Sequence, residues 1–127
     1  MIVEISIGEA LDKLSILKIK LKNIHDTNKL ENINKEYQHI YMQCQEILKD
    51  PNINALYNQL YQINNTLWNI EDKIRYKEQE KIFDTDFIDL ARQVYTNNDI
   101  RAAIKKQINI LTDSNLIEEK SYPQYII

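Results

Sequence analysis

Four basic side chains and a few carboxylates carry whatever chemistry this chain can perform. Asn98, Arg101 and Lys105 recur at helical spacing and therefore share one face, and Arg75 and Arg92 lie on segments expected to pack nearby. Converging guanidinium and ammonium groups hold carboxylate or phosphate oxygens bidentately. One reading is thus a small anionic ligand, bound or turned over by a helical bundle, with Glu71 and Asp72 at its edge. The other is ion pairing: Arg75 with Glu71 at i,i+4, and Arg101 or Arg92 with Asp99, Asp72 or Asp89. Structural pairing is the favoured expectation, so the chain leans away from being an enzyme.

Metal chemistry is less well provided for. Glu9 and Asp12 have the types and spacing for magnesium, which prefers oxygen ligands. Their natural counterparts, Glu71 and Asp72, are adjacent, and adjacent side chains diverge by about 100° around a helix. Glu36 and His39 form one Glu-x-x-His pair, whereas di-metal bundles use two. Cys44 sits on an apolar stripe with no histidine spaced to activate it. No metal site and no cofactor are expected.

Composition narrows the classes further. The single glycine among 127 residues, Gly8, excludes phosphate-cradling loops and nucleophile elbows, which need several. A net charge of -3 gives no general attraction to nucleic acid or to an anionic membrane. No run of 18 apolar residues is present, and the first residues lack a basic-then-apolar signal. One cysteine allows no internal disulfide. A soluble, cytoplasmic protein is expected, with residues 1–127 as one domain.

These side chains must be positioned by helices, and one helix dominates. Ile53, Leu56, Leu60, Ile63, Leu67, Ile70 and Ile74 follow one another in alternating steps of three and four, a three-heptad apolar stripe without Gly or Pro. Pro51 suits its first turn, and the pattern continues to about Lys81. Before it, Ile2–Ile5 reads as a short strand or an extended arm. Ser6 and Glu9 form a capping box for a first helix bearing Leu11, Leu14, Leu17 and Leu21. Ile16 and Ile19 add a second apolar row there, which asks for two neighbours or a partner chain.

A second helix carries Tyr37, Ile40, Cys44 and Ile47 and stops before Pro51. After Asp84 or Thr85 a fourth bears Phe87, Leu90, Val94 and Tyr95. Thr96-Asn97-Asn98-Asp99 predicts a break, with a fifth helix from Ile100 and a tail from Thr112 to Ile127. The expected fold is all-α: an antiparallel bundle of three long helices plus a shorter C-terminal pair, with a short extended N-terminal arm. Trp68 flanks the stripe, and together with Tyr57 and Tyr61 it marks either core or an interface. Surplus apolar face on the first and third helices favours a homodimer.

The segments Ser6–Glu9 with Leu11–Leu17, Leu67–Arg75, Phe87–Tyr95, Asn98–Lys105 and Glu118–Tyr122 carry a resemblance over nearly the whole chain. It is similar to a family of short bacterial and phage proteins that bears only a domain-of-unknown-function label. The resemblance implies no activity, and it implies that the polar clusters belong to the family pattern. The functional expectation is a non-catalytic helical interaction or assembly module, with the anionic-ligand site as its alternative.

Overall fold

A computed structural model describes residues 1–125; Ile126 and Ile127, the end of the expected tail, lie outside the described residues. Among the described residues there are four α-helices and no strand: α1 (Ile7–Asn23), α2 (Thr27–Cys44), α3 (Pro51–Gln79) and α4 (Thr85–Leu111). A single 3₁₀ turn, Ile47–Lys49, joins α2 to α3. Residues 1–5 carry no regular secondary structure.

Each helix begins on a side chain suited to the task. Ser6, Asp26, Asp50 and Asp84 accept from the otherwise unpaired N–H groups of the first turns of α1 to α4. Pro51 opens α3, where its missing N–H costs nothing. Helix ends are less conventional. Lys81 and Asp113 take φ of 58° and 51°, and beside them Ile82 N–H donates to Lys77 O at 2.9 Å and Ser114 N–H to Asn109 O at 2.8 Å. These are glycine-type helix stops made without glycine.

The glycine is needed elsewhere. A Cβ on Gly8 would lie 2.5 Å from the backbone carbonyl oxygen of Lys105, so only glycine lets α1 approach α4 this closely. Gly8 meets Asn109, and four residues on Asp12 meets Arg101, so α1 and α4 run in opposite directions. The core lies where α1 and the stripe of α3 meet. Leu11, Leu14 and Leu60 are fully buried, with Ile53, Leu56, Cys44, Ile104 and Ile108 around them. At about 25 cal/mol per Å² of apolar surface, this burial is the main force holding the helices together.

One expectation needs correction. The break at Thr96–Asp99 does not occur, and the C-terminal pair is one helix of 27 residues. Thr96 Oγ1 and Asn97 Nδ2 each donate to Gln93 O, at 3.2 and 2.7 Å, so these polar groups bond back along the helix instead of breaking it. Packing along α3 then outweighs weak local propensity. The second apolar row of α1 is also met within the chain: α1 contacts α2, α3 and α4, and Ile19 is buried. Of the two outcomes that row allowed, neighbours within the chain are present, and Ile16 stays half-buried.

Two substitutions separate these backbone roles. Gly8→Ala is expected to lower the unfolding free energy by about 1–3 kcal/mol, since the new methyl group meets backbone that cannot yield. Lys81→Gly should raise it by about 0.5 kcal/mol, relief of left-handed strain exceeding the added freedom of the unfolded chain. Urea denaturation of the two variants reads both signs.

Candidate functional site

The polar residues singled out by spacing meet on the seam between α1 and α4. Asp12 projects from α1 into the interior, its side chain 1% exposed. Arg101 of α4 closes on it with two hydrogen bonds, Nε to Oδ1 at 2.8 Å and a short one from Nη2 to Oδ2. Asn64 of α3 donates to Asp12 Oδ1 and to Ser15 Oγ, both at 2.8 Å, and Ser15 Oγ donates to Asp12 O. One buried carboxylate thereby ties three helices. It also strengthens the charge on its partner: the hydrogen bonds that Arg101 donates to Asp12 hold its guanidinium above the usual range, against the opposing effect of burial.

One turn away, Lys105 Nζ reaches Glu9 at 2.6 Å and Glu118 at 3.3 Å, with Asp12 at 3.9 Å. Glu9 therefore serves Lys105, although its spacing from Ser6 marks it as a cap. The first-turn amides of α1 are closed from the other side. Ile7 N–H donates to Ser114 Oγ, Gly8 N–H to Asn109 Oδ1 and Glu9 N–H to Ser6 Oγ, at 3.1, 2.6 and 3.1 Å. A helix start that might have attracted an anion is thus sealed by protein. Among the described residues no buried side-chain nitrogen or oxygen lacks a partner.

The expected cluster divides. Asn98, Arg101 and Lys105 are together, Asn98 Oδ1 accepting from Arg101 Nη1 at 3.3 Å. Arg75 pairs with Glu71 at 3.7 Å on the surface of α3, and Arg92 is exposed and joins none of the ion pairs among the described residues. Asp72 is exposed as well. The partner of Arg101 is Asp12, not Asp99, Asp72 or Asp89. An anion arriving at Arg101 or Lys105 would have to displace Asp12, Glu9 or Glu118.

A shallow space of about 470 Å³ does border Trp68, Glu71, Asp72, Arg75, Asn98 and Arg101. Of the aromatic residues set aside for an interface, Tyr57 is buried in the core, where burial pushes its phenol pKa up. Tyr61 is half-buried under Lys18, whose Nζ lies 5.4 Å from the ring centroid, and Trp68 is half-buried. No group of three or more His, Cys, Asp or Glu side chains is placed to hold a metal among the described residues. Glu36 pairs with Lys13 at 3.0 Å, leaving His39 exposed. Burial also pushes the Cys44 thiol up, away from the reactive thiolate.

Sequence reasoning missed Asn64, Asn109, Ser15 and Ser114. All four are buried polar residues, and Asn64 falls beside the apolar stripe at Ile63. Buried asparagine and serine resemble surface asparagine and serine until the facing helix is known. The larger cavity, about 760 Å³, lies between α4, the start of α1 and the segment after α4. It is walled by Glu9, Tyr95, Asp99, Arg101 and Lys105 and by residues 118–125, which run back along the helix.

The chain belongs to a family of unknown function, DUF6165, whose family model matches residues 1–127. No curated protein and no solved structure matches it. No described helix is long and apolar enough to cross a membrane.

Asp12→Ala is expected to cost about 3–5 kcal/mol, because it strands the Arg101 guanidinium and Asn64. Glu9→Ala, at the solvent-exposed rim, should cost less than about 1 kcal/mol. Thermal unfolding ranks the two. Glu118 provides a pH test. The Lys120 ammonium, and after it Lys105, hold its carboxyl below the usual range. Its contribution is therefore complete above the unfolded value of about 4.3 and is lost as pH falls through the lower folded value. In an acid titration of stability, Glu118→Gln should flatten the loss below about pH 4.

Proposed function

We propose that this member of the DUF6165 family is a non-catalytic helical module that assembles as a homodimer. In this reading residues 1–127 form one domain, an antiparallel bundle with an extended N-terminal arm. The observation that carries it is an apolar surface at one end of the molecule. Ile2, Val3 and Ile5 are 99%, 65% and 44% exposed, and Ile110, Leu111, Leu116 and Ile117 are exposed as well. Asn115 Nδ2 to Glu4 at 3.1 Å and the Ile7–Ser114 hydrogen bond bring the two segments together.

A second copy is the occupant that fits. Seven exposed apolar side chains make up the patch, and a standard interface takes about 800 Å² from each partner. Its apolar side chains are interspersed with the exposed carboxylates Glu4 and Asp113, so a two-fold pairing must keep those two groups away from their symmetry mates. Monomers seldom leave so large an apolar area in water.

The alternative, an anionic ligand at Arg75, Asn98 and Arg101 with Glu71 and Asp72 nearby, draws support from the shallow space they border. It is the weaker reading because Arg101 directs its fork at Asp12. A phosphate or dicarboxylate that raises the melting temperature of the wild type but not of Arg75→Ala would favour it.

The dimer is tested by sedimentation at micromolar concentration. The expected species has twice the 15.2 kDa chain mass. Val3→Asp and Leu116→Asp should each give the single-chain mass with unchanged helicity. A wild type that sediments only at 15.2 kDa would overturn the reading.

A further inference from the structure

The 760 Å³ cavity is lined by three carboxylates, Glu9, Asp99 and Glu118, and three cations, Arg101, Lys105 and Lys120. A fourth carboxylate, Asp12, is buried behind this wall against Arg101. Each cation is already matched: Arg101 by Asp12, Lys105 by Glu9, and Lys120 by Glu118 at 2.5 Å. Asp99 is left with no cation among the described residues. Its carboxylate takes a short hydrogen bond from the Tyr125 hydroxyl and retains further acceptor capacity.

The walls beside Asp99 are aromatic. Tyr95 and Tyr125 meet edge to face, with ring centroids 5.3 Å apart and planes at 84°, and both line the cavity. Tyr122 lines the same cavity. Ring faces carry partial negative charge and attract a cation within about 6 Å of the centroid. A carboxylate lacking a cation, next to tyrosine rings in a cavity of ligand size, is complementary to a positively charged group with an apolar skin.

We propose that Asp99, Tyr95, Tyr122 and Tyr125 form a binding site for an organic cation of the methylated-ammonium class. A tightly hydrated ammonium would gain less from ring faces than from water, whereas a methylated one is poorly hydrated and loses little on entry. The cavity is larger than such a head group, so the natural ligand carries a substantial remainder. None of the seven apolar residues assigned to the dimer lines this cavity.

The test is a titration of the full chain, followed by the tyrosine ring signals in NMR, with three probes. These are choline, its neutral isostere 3,3-dimethyl-1-butanol, and acetate. Choline should shift the rings of Tyr95, Tyr122 and Tyr125 with a dissociation constant near ~1 mM, and the neutral isostere should bind about tenfold more weakly. Acetate should leave the rings unmoved. Asp99→Asn keeps the shape of an exposed side chain and should weaken choline about tenfold. Tyr122→Leu, in the segment beyond the last helix, should weaken it with no change in helicity. Equal affinity for choline and the isostere, no shift with either, or unchanged affinity in Asp99→Asn would each overturn the proposal.

Discussion

A carboxylate in the interior is tolerable only when it is fully engaged, and that constraint shapes this protein. Asp12 is buried on α1, and its oxygens are held by Arg101 from α4 and Asn64 from α3. Removing water from a charge is costly, so the arrangement is retained only as a complete set. The neighbouring contacts obey the same logic. Gly8 lets α1 come close enough for Asn109 and Ser114 to reach its first amides, and Lys105 is held by Glu9 and Glu118 at the rim. Apolar burial supplies the bulk of the attraction between helices, and these polar contacts fix which residues face each other.

Much of the fold was legible because it depends on period. The stripe from Ile53 to Ile74 specifies a helix with one buried face whatever lies opposite, and the capping residues Ser6 and Asp50 stop or start helices by local chemistry alone. The C-terminal helix was misread for a related reason. Thr96-Asn97-Asn98-Asp99 is poor helix in isolation, yet two of its side chains bond to Gln93 O and the helix is held along its length by α3. Local preference is worth tenths of a kcal/mol per residue, less than packing provides. The site was only partly legible. Spacing placed Asn98, Arg101 and Lys105 on one face, but Asp12 and Glu9, which hold Arg101 and Lys105, lie 89 and 96 positions away, and no local pattern records that.

The location of the charges bears on function. Arginines that converge on an open cavity suggest a ligand, whereas arginine and lysine matched by the chain's own carboxylates suggest architecture. Arg101 and Lys105 are of the second kind. Surface left unmatched is found in the apolar end near Ile2 and Leu116 and at Asp99, on the same cavity that Arg101 and Lys105 border.

The central claim is that α1 is locked onto α4 by a polar seam satisfied within the chain. Amide hydrogen exchange at Ile7 and Gly8 tests it most directly. First-turn amides normally exchange freely because they have no partner inside the helix. Here they should be protected to nearly the same degree as those of Leu14 and Leu17. Exchange of Ile7 and Gly8 at the rate of a frayed helix end would show that the seam does not hold, and the account would fail with it.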